Sequence, residues 1–184
     1  MQYKINVDDG NYTSWKTYIF QDVHINETTL DIDPLKSKLF SNDVFEIHDD
    51  EINIIHSTIR QLPGIPCILV LNDGKTYGHY KNRLLYKCIP DDKRLPTFLV
   101  PYQIKATFSK KYDNLYVLLR YQNWEDKHPM GILDNVIGNV KELPNYYEYQ
   151  LYCKSLYSSI QNFLRLKFVR AFEQAKKFKS FFFF

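Results

Sequence analysis

Aromatic and cationic side chains alternate in one short stretch of this sequence, Tyr80-Lys81-Asn82-Arg83. Single-stranded nucleic acids are bound by this combination, since bases stack on exposed aromatic rings while lysine and arginine neutralise phosphates. The stretch directly follows a predicted hairpin strand, where a small β-barrel would expose it. We therefore predict base stacking by Tyr80 and phosphate contacts by Lys81 and Arg83.

Further candidates for the same chemistry lie later in the chain. Trp124 ends a hydrophobic run and is a second stacking candidate, Arg120 precedes it, and Lys127 and His128 follow. With 15 tyrosines and 13 phenylalanines in the chain, most aromatic side chains must pack inside the protein. A lone histidine is also more often a loop residue bonded to its neighbours than a ligand. Both interpretations stay open for each of these residues.

No group of residues predicts an active site. The three cysteines have no Cys-x-x-Cys spacing, the five histidines have no metal-ligand spacing, and neither a nucleophile elbow nor a phosphate-binding loop is present. Asp31-Ile32-Asp33-Pro34 offers only two carboxylates, whereas magnesium requires several converging oxygen ligands. We predict that this chain has no catalytic residues, no metal ligands and no cofactor of its own.

Short hydrophobic runs separated by turn residues must position the candidate side chains. Ile65 to Leu71 predicts a buried strand, and Asn72-Asp73-Gly74-Lys75 predicts a hairpin turn because glycine accepts a positive φ. The other predicted strands are Thr76–Tyr80, Leu84–Ile89, Phe98–Val100, Ile104–Phe108, Leu115–Tyr121 and Gly131–Val136. Several short strands with no long helix between them favour a mainly β fold, a small Greek-key barrel.

The two ends of the chain differ from this middle part. Residues 1–55 show mixed periodicity and predict a β-rich extension of short strands. From Asn145 the apolar residues recur at three- and four-residue steps, which predicts an amphipathic helical segment over residues 144–184. The chain ends in four phenylalanines, which we interpret as the sign of a truncated or frameshifted reading frame.

Charge is unevenly distributed along the chain. The formal net charge of +3 comprises −7 over residues 1–56, +5 over residues 57–164 and +5 over residues 165–184. A basic body could attract a polyanion, although an excess of five charges alone gives only a weak preference for nucleic acid. No apolar run approaches the roughly 20 residues of a membrane span. With no secretory signal at the N-terminus, we expect an intracellular protein, cytoplasmic or nuclear, without a membrane partner.

Three motifs in the middle half of the chain resemble a known family. Pro90-Asp91-Asp92-Lys93-Arg94-Leu95-Pro96 is followed by a hydrophobic strand ending in Trp124, then by His128-Pro129-Met130-Gly131 and Gly138-Asn139-Val140. This order resembles the cold-shock-like OB module of exoribonucleases of the RNase II/RNase R superfamily, especially their exosome-associated eukaryotic branch. Asn139 departs from that pattern, since the family has aspartate in the last turn.

The resemblance implies an OB-like, cold-shock-like RNA-binding domain over residues 56–143. Residues 1–55 would be an extension or a partial OB-like module, and residues 144–184 a helical linker toward a catalytic domain encoded downstream. Lys93 and Arg94 gain support as RNA contacts, although their flanking prolines equally suit a structural corner with solvated charges. The family's aspartate cluster, which holds Mg²⁺, does not occur in this chain.

Two functions follow from these observations. The first is a single-stranded RNA-binding portion of a 3′-to-5′ exoribonuclease, with exosome-like partners, that is inactive on its own. The second is a stand-alone OB module that binds nucleic acid or a protein without nuclease activity. The sequence does not distinguish RNA from DNA as the ligand, and it leaves the oligomeric state open.

Overall fold

The computed structural model describes residues 1–21, 24–49, 51–104 and 112–156. These residues form two β-sheets and two helices. Part of the predicted C-terminal helical segment, residues 157–184, lies outside the described residues, as does most of the strand predicted at Ile104–Phe108.

The N-terminal sheet is antiparallel and contains five strands in the order β3-β2-β1-β4-β5. Its strands are β1 (Gln2–Val7), β2 (Trp15–Gln21), β3 (His24–Thr28), β4 (Val44–His48) and β5 (Glu51–His56). Alternate residues of β1 face the core, where Ile5 and Val7 are fully buried, because successive side chains of a strand point to opposite faces. The predicted β-rich N-terminal extension is confirmed.

The second sheet closes into a five-strand barrel. Its strands are β6 (Ile65–Leu69), β7 (His79–Tyr80), β8 (Arg83–Pro90), β9 (Phe98–Tyr102), β10 (Leu115–Asn123) and β11 (Met130–Asn139). The order is β6-β10-β11-β9-β8, and a further pairing of β6 with β8 closes the ring, while β7 extends β8 at one end. β9 and β11 are parallel and the other pairs are antiparallel. This is the strand order of an OB barrel, and the predicted fold class is confirmed.

Two short helices accompany the barrel. Helix α1 (Thr58–Gln61) connects the sheets, and its N-cap Ser57 accepts a hydrogen bond from the Arg60 backbone N–H. Helix α2 (Leu143–Cys153) follows β11 and packs through buried Tyr149 and Tyr152. The predicted helical character of the C-terminal segment is confirmed for these described residues.

The connection from β6 to β8 differs in part from its prediction. Gly74 adopts a φ of +64° and its N–H donates to the Leu71 carbonyl at 3.2 Å, so the predicted turn forms. The return strand is only β7, however, and the tight two-residue turn lies at Lys81 and Asn82 (φ 45° and 62°). Positive φ at both central residues is the type I′ geometry, which matches the twist of the flanking strands and is favoured by asparagine. The candidate stretch is therefore the hairpin tip itself.

One hydrophobic core contains residues from both sheets. Phe40, from the loop before β4, packs its ring 6.0 Å from that of Phe98 and 5.6 Å from that of Tyr121, two residues of the barrel. A turn of the N-terminal segment also contacts the barrel, since the Gly10 N–H donates to the Lys93 carbonyl at 2.7 Å. The division into residues 1–55, 56–143 and 144–184 stays a prediction.

Candidate nucleic-acid interface

Two connections flank the outer face of β8 and β9. One is the β6–β8 connection, residues 70–82, which ends in the hairpin of Tyr80 and Lys81; the other is the β10–β11 loop, residues 124–129. The Gln122 side-chain amide donates to the Tyr80 hydroxyl at 2.8 Å, so the hairpin lies beside the end of β10. In OB barrels the corresponding strands and loops bind oligonucleotides.

The hairpin holds a tyrosine ring and two cations together. Tyr80 is half-buried, whereas Lys81 and Arg83 are exposed. The Lys81 ammonium lies 5.3 Å from the centre of the Tyr80 ring, within cation–π range. One ring face is therefore beside a cation that could also neutralise the phosphate of a stacked nucleotide.

The β10–β11 loop places Lys127 and His128 at the other side of this face. Lys127 is exposed and His128 is half-buried. Burial lowers the pKa of His128, and the positive charges of Lys127 and Lys87 lower it further, while a hydrogen bond with the Thr97 backbone acts in the opposite direction. His128 therefore remains mainly neutral near pH 7 unless an anion approaches.

Sequence reasoning missed Lys87 as a candidate. Lys87 lies on β8 opposite Leu99 of β9, between the buried residues Tyr86 and Cys88. Its positive charge contributes to the lowered pKa of His128. The signal was available, because a lysine between two buried residues of a strand must point to the outer face.

Three other predicted cations lie on the β8–β9 corner and on β10. Arg94 makes a bidentate contact with Asp92, at 2.9 Å from Nε and 2.7 Å from Nη2, at the proline-flanked corner. Lys93 is exposed at the same corner. Arg120 pairs with Asp134 of β11 at 2.8 Å. No described contact joins these three residues to the hairpin or to the β10–β11 loop, and their contact with RNA stays a prediction.

Trp124 is buried, which corrects its assignment as a stacking platform. Its exposed fraction is 6%, and its ring lies 4.8 Å from that of Phe40 and 6.2 Å from that of Tyr12. Both partners come from the N-terminal segment. No local sequence pattern near Trp124 predicts that this segment packs against it. Since these rings cover the indole, a base has no open ring face to stack on, and Trp124 belongs to the core.

The described part of the chain holds no group of three or more His, Cys, Asp or Glu side chains that could bind a metal ion. Among the same residues, no helix combines the length and the apolar composition required to cross a membrane.

Cys67 and Cys88 are fully buried thiols. Burial raises the pKa of Cys67 and keeps it protonated. The groups that the candidate surface itself presents are exposed cations and the Tyr80 ring.

Residues 85–149 match a family model. That family is the Dis3-like cold-shock domain 2. The matched residues begin within β8 and end within α2, about a third of the chain. No curated protein matches the chain significantly in sequence.

The Dis3-like cold-shock domain match agrees with the OB topology and with the resemblance drawn from the three motifs. It supports an OB domain of the kind associated with exoribonucleases of the RNase II/RNase R superfamily. The matched residues include Lys87, Lys127 and His128, whereas Tyr80 and Lys81 precede them. The family match therefore covers the β10–β11 loop but not the hairpin.

Proposed function

We propose that this chain binds single-stranded RNA across the outer face of β8 and β9. The observation that carries the proposal is the closed OB barrel in which the hairpin and the β10–β11 loop flank one face. Four cations lie on these elements: Lys81, Arg83, Lys87 and Lys127. When the RNA backbone runs along these four cations, its phosphates release their bound counterions. At the same time, one base stacks on the Tyr80 ring.

The larger context of this binding is proposed from the family match. The chain serves as the RNA-gripping portion of a 3′-to-5′ exoribonuclease and directs the RNA 3′ end to a catalytic domain encoded downstream. That catalytic domain would supply the Mg²⁺ site, and exosome-like partners would act with the whole enzyme. We propose an intracellular location, cytoplasmic or nuclear. The chain itself binds without cutting.

The salt dependence of RNA binding tests this function. We expect fluorescence anisotropy with a labelled oligouridine and the full chain to show an affinity that falls steeply as salt rises. The slope of log K against log salt should be about −3, because each neutralised single-strand phosphate contributes about −0.7 and four cations are available. Absence of binding at low salt would overturn the proposal and favour the stand-alone module that contacts a protein.

Replacing Tyr80 separates stacking from packing. Tyr80→Ala removes the ring and should weaken RNA binding by about 5- to 150-fold, the equivalent of about 1–3 kcal/mol per stacked base. Tyr80→Phe keeps the ring, loses only the contact with Gln122, and should stay close to the wild type. The matched control is Tyr147→Ala on α2, which removes a 53% exposed tyrosine away from the face. Equal losses for Tyr80→Ala and Tyr147→Ala would contradict a specific platform.

Protonation of His128 should increase RNA affinity in acid. Free His128 has a pKa below its ordinary 6.5, and a nearby phosphate raises it in the complex. Affinity then rises as the pH falls through the pKa of the complex, and it levels off below the pKa of free His128. One unit between the two values corresponds to about tenfold in affinity. His128→Gln should abolish this increase in affinity. The control substitution is His79→Gln, which changes the histidine of β7.

A further inference from the structure

A lysine of the N-terminal segment reaches the β10–β11 loop of the barrel. The Lys38 ammonium donates to the backbone carbonyl of Asp126 at 2.7 Å, across 88 residues of sequence. The same nitrogen lies 5.7 Å from the centre of the Trp124 ring, at the start of the loop. A charged donor to a carbonyl makes a stronger bond than a neutral one, so this contact restrains the loop.

Lys38 is held in position by its own surroundings. Its φ is +59°, a left-handed conformation that a lysine rarely adopts and that neighbouring structure must maintain. The Lys38 carbonyl accepts a hydrogen bond from Arg60 Nη2 at 2.7 Å, and Arg60 also lies 4.9 Å over the Phe40 ring. The side chain is half-buried. Lys38 therefore projects from a fixed backbone toward the loop.

Within the described part of the chain, few other contacts restrain the middle residues of the β10–β11 loop. Glu125, Asp126 and Lys127 are exposed, and no strand pairing spans them. Among the residues that the structure describes, Glu125 bonds only to the Asn123 side chain, at 2.8 Å. The loop is fixed again at its end, where the Leu99 N–H donates to the Pro129 carbonyl at 2.9 Å. Among the described residues, Lys38 is the side chain that reaches Asp126 from outside the loop.

We infer that Lys38 is a positioning residue for RNA binding: it fixes Asp126 and thereby holds Lys127 and His128 at the edge of the β8–β9 face. This inference rests on the proposed function, because the loop is treated as an RNA contact. A loop that is ordered before binding loses less conformational freedom when RNA arrives, so its affinity is higher. The N-terminal segment thus sets the RNA affinity of the barrel without touching RNA.

Lys38→Met tests the inference because methionine keeps much of the apolar stem over Trp124 and removes the donor. We expect faster amide hydrogen exchange at residues 125–128 of the free full chain and about two- to tenfold weaker RNA binding. The thermal midpoint should change little. Lys38→Asn is a second variant, since asparagine accepts the left-handed conformation and is too short to reach Asp126. The matched control is Lys36→Met, which removes a neighbouring lysine whose described ion pair is with Asp33, at 3.5 Å.

A double-mutant cycle with Lys127→Ala separates positioning from direct contact. If Lys38 acts through the loop, the losses from Lys38→Met and Lys127→Ala are not additive. Additive losses, together with a salt slope reduced by about 0.7 in Lys38→Met, would make Lys38 a phosphate contact and overturn the inference. Unchanged exchange at residues 125–128 would also overturn it.

If the wild-type chain binds no RNA at low salt, the proposed function fails and the inference fails with it. If the wild-type chain binds RNA and Lys38→Met and Lys38→Asn bind it equally well, the inference alone is overturned.

Discussion

Replacing Asp43 with alanine should lower the free energy of unfolding by about 3–5 kcal/mol, the range for breaking a buried ion pair. The Asp43 side chain is fully buried, and its carboxylate accepts from Arg60 Nη1, from the Ser57 hydroxyl and from the Phe40 N–H. Burial raises the pKa of Asp43, whereas these three partners favour the ionised form. Without the carboxylate, the Arg60 guanidinium, 19% exposed, loses the anion with which it pairs among the described residues.

Urea unfolding followed by circular dichroism measures this loss. Asp31→Ala is the matched control, because Asp31 is an exposed aspartate of the same segment and should change stability by less than about 0.5 kcal/mol. The double variant Asp43→Ala with Arg60→Met should be more stable than the sum of the two single changes predicts, since it leaves no unpaired charge. A loss below about 1 kcal/mol for Asp43→Ala would contradict the role of this ion pair.

The barrel was predictable because its signals are local. Strands β6, β8, β9, β10 and β11 each correspond to a short apolar run bounded by proline, glycine or polar turn residues, and those residues restrict the backbone without help from distant contacts. The hairpin tip was harder to predict. Both Asn72-Asp73-Gly74 and Lys81-Asn82 offer turn chemistry, and only the pairing of Tyr80 with Arg83 decides where the tight turn lies.

The candidate site was predictable only in part, because its geometry depends on contacts between distant residues. Tyr80 lies beside Gln122, 42 residues later, and Lys38 reaches Asp126 across 88 residues. Trp124 illustrates the limit most clearly. Its neighbours in sequence suit an exposed loop, yet Phe40 and Tyr12 cover it, and no periodicity in either segment encodes that pairing.

Replacing Phe40 with alanine is the second change with a large expected effect. Phe40 is fully buried, and its ring contacts those of Phe98, Tyr121 and Trp124 while Arg60 lies over it. Truncation removes these contacts and leaves a cavity between the N-terminal segment and the barrel, at a cost of about 3–5 kcal/mol. Urea unfolding measures the loss, and Phe40→Leu, which keeps more of the apolar volume, should cost clearly less.

Phe40→Ala should also have a local effect, because the cavity lies beside the contacts that restrain the β10–β11 loop. Phe40 lies between Arg60, which bonds to the Lys38 carbonyl, and Trp124, where the β10–β11 loop begins. Phe40→Ala should therefore accelerate amide exchange at residues 125–128 even where the chain remains folded, whereas exchange at β6 should follow global unfolding. Equal acceleration at both places under native conditions would show that Phe40 contributes to the core without restraining the loop. Because the Phe40 N–H also donates to Asp43, the losses from Phe40→Ala and Asp43→Ala should not be additive.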